Sequence, residues 1–366
     1  MSTCWLTARR LQVPDDSRTI EINGSQAAIH SVLFSEDGEH VLSSGLDEMI
    51  RRWRVDDGQE VGEPIRIKGE EIYVAVLSPD RRWLACGLKC YPNSSRLSLT
   101  PDVMVWDAHT HEKVLDIRVM DHSTTITTMS AVDVSPDSMK IATGGSDKFV
   151  FIWGMATGER LVGPLPQDGL VVAVRFSPIN DRIAIATAPP SPHAKESSIR
   201  IYDSGNGQRL LEIPFQFNAY TSSPLAWSAD SRQLFAAGSG EVKQFDSSSG
   251  TVLNKWSCNG SAAAIVLSHN QKFIVISASR SLSFWDAVTH EQIGTVIQHA
   301  SVIWSIALSP NDDCVATREQ NGAVTLRSLH DVLPGSYMVV TVSDSHGNCC
   351  RISQFMGYFP YPCICE

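Results

Sequence analysis

The residues best suited to chemistry crowd the C-terminal end of this 366-residue chain: His346, Cys349, Cys350, Cys363 and Cys365. Imidazole and thiolate are zinc ligands. Structural zinc sites, however, take them as two spaced pairs, with about two to four residues between the members of each pair. The adjacent Cys349 and Cys350 and the Cys-Ile-Cys step at 363–365 lack that spacing, so no metal is expected. The expectation for residues 330–366 is a loosely packed, non-repeat tail with free thiols, with Tyr337, Phe355, Phe359 and Tyr361 available to pack on the main body. A second pairing, His122 with Asp147, has the types of a general base and its orienting acid. No nucleophile accompanies it. The HExxH helix, paired CxxC steps, the GxSxG elbow and the GxxxxGK[ST] phosphate loop do not occur in the sequence. No catalytic residue and no cofactor are assigned.

What must position any site is a repeat. Ser35, Ser78, Ser135, Ser177, Ser228, Ser268 and Ser309 each follow an apolar run and open a short polar turn, at spacings of 43, 57, 42, 51, 40 and 41 residues. Five of the turns read SEDG, SPDR, SPDS, SADS and SPND. Proline presets φ, and Asp or Ser bonds its own backbone, so such tetrapeptides suit tight reversals. Before each serine stands one apolar run, such as IHSVLF at 29–34 or VVAVRF at 171–176 (strand a). After it comes a second, such as IAT at 141–143 or FIVIS at 273–277 (strand b). A third run ends on an aromatic, often followed by Asp: Trp106-Asp107, Tyr202-Asp203, Phe245-Asp246 and Trp285-Asp286 (strand c). A polar turn then leads to strand d, as in VLDIRV at 114–119. A period near ~40 residues with four short strands per unit is the signature of a β-propeller.

With its Trp-Asp pairs at 106–107 and 285–286, its Ser-Pro-Asp turns and this period, the chain resembles WD-repeat proteins over residues 24–329. Phrases such as VGEPI (61–65) and WDAVTHEQIG (285–294) look like fungal WD-repeat arrays, some of which are the sensor ends of NTPase receptors; an attached NTPase is not expected. The resemblance implies an all-β fold: a seven-bladed β-propeller of four-stranded antiparallel blades, spanning 18–329 after a short extension at 1–17. The last unit lacks a strand d of its own. Thr19-Ile20-Glu21-Ile22 precedes Gly24-Ser25 as a strand d would, so residues 19–22 should close blade seven from the N-terminus. That blade is the most degenerate, with Arg327 at the strand-c aromatic position, and should be the least stable part of the ring.

The family's hydrogen-bonded set of His, Ser/Thr, Asp and Trp is complete only in blade three: His122, Thr143, Asp147 and Trp153. A structural network is therefore the reading of His122 with Asp147. Blade one keeps Ser44, Asp47 and Trp53. Blade seven keeps His299 and Thr317 but loses the acid and the Trp.

Aligning the blades on their serines places His30, Tyr73, Val172 and Trp304 at one mouth of the central channel. Trp304, His30 and Tyr73, in consecutive blades, should form a contiguous aromatic arc, serving either as an interface or as a plug. Long b–c loops at 90–101 in blade two and 188–198 in blade four emerge on that face. Tyr and Trp are common interface anchors, and long loops on rigid scaffolds often carry function.

The expected function is a non-catalytic scaffold binding a protein or peptide on this face. A sensor or regulatory module and a ubiquitin-ligase-type substrate adaptor are the alternatives, followed by a propeller enzyme or a truncated product without a role of its own. A net charge of −10 disfavours nucleic acid. No run of 18 apolar residues suggests a membrane span, and MSTCWLTARR lacks the apolar core of a signal peptide. The nine scattered cysteines read as thiols, placing the chain in the cytoplasm, with the nucleus as alternative. A monomeric propeller within larger complexes is the expected state.

Overall fold

The computed structural model describes residues 19–22, 29–35, 37–67, 71–90, 102–119, 127–189, 197–217, 223–338, 340–343 and 349–352. At all seven serines the backbone does the same thing. The serine carbonyl accepts the N–H of the third residue on, and its Oγ accepts the N–H of the fifth: His40, Trp83, Lys140, Arg182, Gln233, Phe273 and Cys314. The third residue (Gly38, Arg81, Ser138, Asn180, Ser231, Gln271 or Asp312) adopts a left-handed conformation, φ 59–72°. One hydroxyl thus satisfies a backbone donor where strand b begins, which is why serine recurs there.

Each turn joins strand a to strand b, and the four strands follow in order. In blade one they are Ile29–Phe34, His40–Gly45, Met49–Arg54 and Ile65–Arg66. In blade two they are Glu71–Leu77, Trp83–Cys90, Val103–Asp107 and Lys113–Ile117. Blade three has Ala131–Val134, Lys140–Gly144, Phe149–Gly154 and Arg160–Pro166. Blade four has Leu170–Phe176, Arg182–Ala188, Ser198–Asp203 and Arg209–Pro214. Blades five and six share one 16-residue strand, Val252–Leu267, whose first half is strand d of one and whose second half is strand a of the next. The rest of blade five is Leu225–Trp227, Gln233–Ala237 and Ser239–Asp246. The rest of blade six is Phe273–Ala278, Ser281–Asp286 and Gln292–Gln298. Blade seven has Ile303–Leu308, Cys314–Glu319 and Val324–Ser328. Its fourth strand is Ile20–Ile22, antiparallel to strand c with Ile20 opposite Leu326 and Ile22 opposite Val324. The ring closes as the missing last strand required: a seven-bladed β-propeller.

Register repeats as faithfully as the turns. The strand-c residue paired with Val41, Leu84, Ile141, Ile183, Leu234, Ile274 or Val315 is in turn Trp53, Trp106, Trp153, Tyr202, Phe245, Trp285 and Arg327. Strand b is buried on both faces because each blade covers the next. The described apolar core falls into seven clusters, one per junction. At the junction of blades three and four, for example, Ala142, Val150 and Ile152 meet Val174, Ile183 and Ile185. Ile22 belongs to the closing cluster, with Val41 and Trp53 of blade one and Val324 and Leu326 of blade seven. On the serine face the turns also tie neighbours together. Asp80 N–H donates to Ser138, Ile179 N–H to Ser231, Ala229 N–H to Gln271 and His269 N–H to Asp312.

After blade seven the chain keeps packing. Leu329, Leu333 and Met338 are buried against blade six. Tyr337 sits on Phe273 and donates its hydroxyl to Asp286 at 2.7 Å, and Asn270 donates to the Tyr337 carbonyl. The start of the tail is therefore docked, more firmly than a loose extension. Residues 340–343 and 349–352 pair as a hairpin that includes Cys349 and Cys350. His346, Phe355, Phe359, Tyr361, Cys363 and Cys365 lie outside the described residues.

Candidate functional site

Strand a starts beside the end of strand b, as Leu170 opposite Ala188 and Glu71 opposite Lys89 show. Its first residues therefore lie on the face of the b–c loops, and the serine turns lie on the other. In five blades the pairing slips by one residue just there: between Ile29 and Ser31, Ile72 and Val74, Val171 and Ala173, Ala262 and Ala264, Ile303 and Ser305. The residues so extruded include His30, Tyr73, Val172 and Trp304. A β-bulge leaves its extra residue outside the ladder and re-aims its side chain. All four line one central cavity of about 740 Å3, together with Ser130 and Ser223 at the same repeat position. Pro79, His269 and Pro310 of the serine turns line it too, so it runs along the ring axis.

Three of the four mouth residues come together. The rings of His30 and Tyr73 stack with centroids 4.7 Å apart. The link from His30 to Trp304 is Arg318, at the penultimate position of strand b in blade seven. Its guanidinium lies 4.2 Å above the Trp304 ring, and its Nη2 is 3.4 Å from His30 Nδ1. Burial, then the charge of Arg318, lowers the pKa of His30 from 6.5 to about 4. Burial also lowers that of Arg318, to about 9, leaving it charged at neutral pH. Val172 lines the cavity from blade four and is buried.

Sequence reasoning missed Arg318, although a signal existed. Nine residues after each serine stand Ser44, Gly87, Gly144, Ala186, Ala237, Ser277 and then Arg318. Only a small side chain suits that place in six blades, and the seventh puts the longest cation there. Asp133 and Arg175 were missed likewise. Two residues before the serine the other blades carry Leu33, Val76, Ala226, Val266 and Ala307. In the cavity wall Asp133 and Arg175 lie 3.8 Å apart, and Asp133 accepts the Phe176 N–H at 2.7 Å. Burial pushes the Asp133 carboxyl up, against the opposing pull of Arg175.

Of the four-residue network in blade three, Trp153 Nε1 donates to Thr143 Oγ1 at 2.9 Å, and Asp147 accepts the Phe149 N–H. His122 lies outside the described residues. In blade one the partner of Trp53 is Ser43, at 2.7 Å, rather than Ser44. A slip of one residue along a strand moves a side chain to the other face, and Ser43 is the residue in register with Thr143. Blade seven also departs from expectation. Its acid is not lost but displaced: Glu319, at the end of strand b, meets His299 Nδ1 at 3.0 Å and accepts from Ser301 N–H and Thr325 Oγ1. Most of the inserted loops, 91–101 and 190–196, lies outside the described residues, but the strand ends flanking them emerge on the mouth face.

The family model of the WD domain, G-beta repeat, matches residues 17–54 and 116–154, which hold strands a to c of blades one and three together with all or the end of the strand before each. The other blades share the register of those two. The chain carries WD repeats in a seven-bladed β-propeller. The propeller is 22% identical over 312 residues to the transcriptional corepressor LEUNIG_HOMOLOG of Arabidopsis thaliana, covering 83% of this chain and 36% of that protein. It is 21% identical over 330 residues to eukaryotic translation initiation factor 3 subunit I of Aspergillus oryzae, covering 84% of this chain and 93% of the relative. Over 116 residues, 30% of the chain and 33% of the relative, it is 31% identical to small ribosomal subunit protein RACK1 of Caenorhabditis elegans. The chain thus spans about a third of the corepressor's length. Among the described residues no helix is long and apolar enough to cross a membrane, and no group of three or more His, Cys, Asp or Glu could hold a metal ion.

Proposed function

We propose that this propeller is a non-catalytic interaction scaffold, working as one ring within a larger complex in the cytoplasm or nucleus and taking a protein or peptide at the channel mouth. The observation that carries this is the continuous row Trp304–Arg318–His30–Tyr73 at the rim of an open cavity. Tyr73 is 37% exposed. Aromatic and arginine side chains dominate the binding energy of protein interfaces. Two relatives are named as subunits of larger assemblies, the initiation factor subunit and the ribosomal subunit protein, which supports an assembly role for this chain.

Trp304→Ala and Tyr73→Ala test the reading. Each should leave the melting temperature within a few degrees of the parent and abolish recovery of the proteins that co-purify with it, quantified by mass spectrometry. Unchanged recovery would remove the mouth from consideration. A large drop in melting temperature with unchanged recovery would make the aromatics a plug.

A further inference from the structure

The buried arginine other than Arg318 among the described residues faces acids, and so does the half-buried arginine of the channel wall. Arg200, 5% exposed, is held by Asp168 and Glu212, and Arg175 in the channel wall faces Asp133. Arg318 is more buried, at 2% exposed. No carboxylate forms an ion pair with it among the described residues, and the pull that opposes the lowering of its pKa by burial comes from the Tyr73 phenol, not from a carboxylate. Its Nε–H has no acceptor there. The neighbouring imidazole repeats the pattern. Arginine only donates, so His30 Nδ1 must be the acceptor of the Nη2 contact, and the ring proton of a neutral histidine then sits on Nε2. His30 Nε2 is also buried without a partner among the described residues.

One full positive charge and two buried, unanswered N–H donors therefore lie side by side on residues that line an open cavity. A buried charge left unpaired is costly, and a structure retains such an arrangement where something else completes it. The complement is a group that only accepts and carries one negative charge, which describes a carboxylate. A phosphate dianion would exceed the single charge offered, since Lys89, the other cation whose charge acts on His30, is already paired with Glu71 at 3.3 Å. The guanidinium is sunk below the surface, so the carboxylate must arrive on a tether. A glutamate side chain supplies one while its backbone stays at the rim against Tyr73 and Trp304.

We propose that the channel mouth anchors a peptide through an acidic side chain, glutamate best, whose carboxylate accepts from Arg318 and from His30 Nε2–H while Trp304 covers the other side of the guanidinium. This rests on the reading of the mouth as the peptide-binding face, and the test separates the two. An array of N-acetylated, C-amidated peptides of mixed sequence, carrying Glu, Asp, Gln, phosphoserine or Lys at one fixed position, is probed with the full chain. Titration calorimetry then follows on the best Glu peptide and its Gln twin. Expected are enrichment of Glu, a loss of roughly tenfold or more in affinity on Glu→Gln, and disappearance of that difference in Arg318→Met. Selected peptides with no acidic preference would overturn the anchor and leave the binding face standing. No selected peptide at all would overturn both. Phosphoserine preferred over Glu by more than about tenfold would reassign the site to phosphate and overturn the carboxylate. The variant carries a second readout: an arginine kept for ligand should not be missed by the fold, so Arg318→Met should melt no lower than the parent. A clearly lower melting temperature would make Arg318 structural and overturn the proposal.

Discussion

Blades three and seven are built on the same register and use it differently. In blade three, Thr143 on strand b takes the indole N–H of Trp153 on strand c, so both buried polar groups are satisfied. In blade seven the corresponding residues are Thr317 and Arg327. Thr317 Oγ1 is buried without a partner among the described residues, as is Arg327 Nε. The same blade borrows its outer strand from the other end of the chain and recruits Glu319 for the acid its b–c turn lacks. It also carries Arg318, one residue from the orphaned hydroxyl. Identical backbones thus hold a closed internal network in one case and an open set of polar groups in the other. The repeat fixes the strands; whether their buried polar groups pair with each other or stay unpaired is decided by a few substitutions.

The largest expected effect tests how much blade seven depends on its borrowed strand. Deleting residues 1–23 should lower the denaturation midpoint more than any single substitution in the closing cluster, since it uncovers strand Val324–Ser328 and that cluster together. Ile22→Ala, removing one side chain that is 1% exposed, should cost about 2–5 kcal/mol. An unchanged midpoint for the deletion would mean that the ring closes without this strand. Next comes the threonine pair, where only blade three should lose stability. Thr143→Val leaves the Trp153 indole N–H buried without an acceptor and should destabilise by about 1–3 kcal/mol. Thr317→Val removes a hydroxyl that has no partner among the described residues and should be neutral or slightly stabilising. Equal losses in urea titrations would show that the blades do not differ in the way described.

A further effect concerns pH. The pKa of His30 is lowered to about 4 from 6.5, by burial and then by Arg318, with Lys89 adding to the lowering and Glu71 opposing it. Between pH 6.5 and 4 the unfolded chain therefore binds a proton that the folded one does not. Stability should fall as pH drops through that window and level off below it. His30→Gln should flatten that part of the profile, and a profile unchanged by the substitution would place the acid sensitivity elsewhere.

Much of the candidate site was legible before the fold was known. Counting five residues back from each serine found His30, Tyr73, Val172 and Trp304, because a repeat makes equal sequence offset equal position in space. The same count, nine residues forward, would have found Arg318 as the one large residue among small ones. It sits one residue past Thr317, on the other face of strand b from the position that pairs with the strand-c aromatic. The Ser43/Ser44 error and the displaced Glu319 have a related cause: a hydrogen-bonded set is defined by which face a side chain takes, and one residue of register reverses that.

The sequence by itself determined the number of blades, the turns, the closure by residues 19–22 and the mouth positions. All of these follow from local backbone chemistry repeated at a fixed interval: a serine hydroxyl that must accept a particular N–H, and apolar runs that alternate with it. Only the tertiary structure decided that Arg318 lies over Trp304 and against His30. Those three residues come from opposite ends of the chain and meet because the ring closes between blades seven and one. Charge, burial and unpaired donors at that seam are properties of the closed ring, which no single repeat contains.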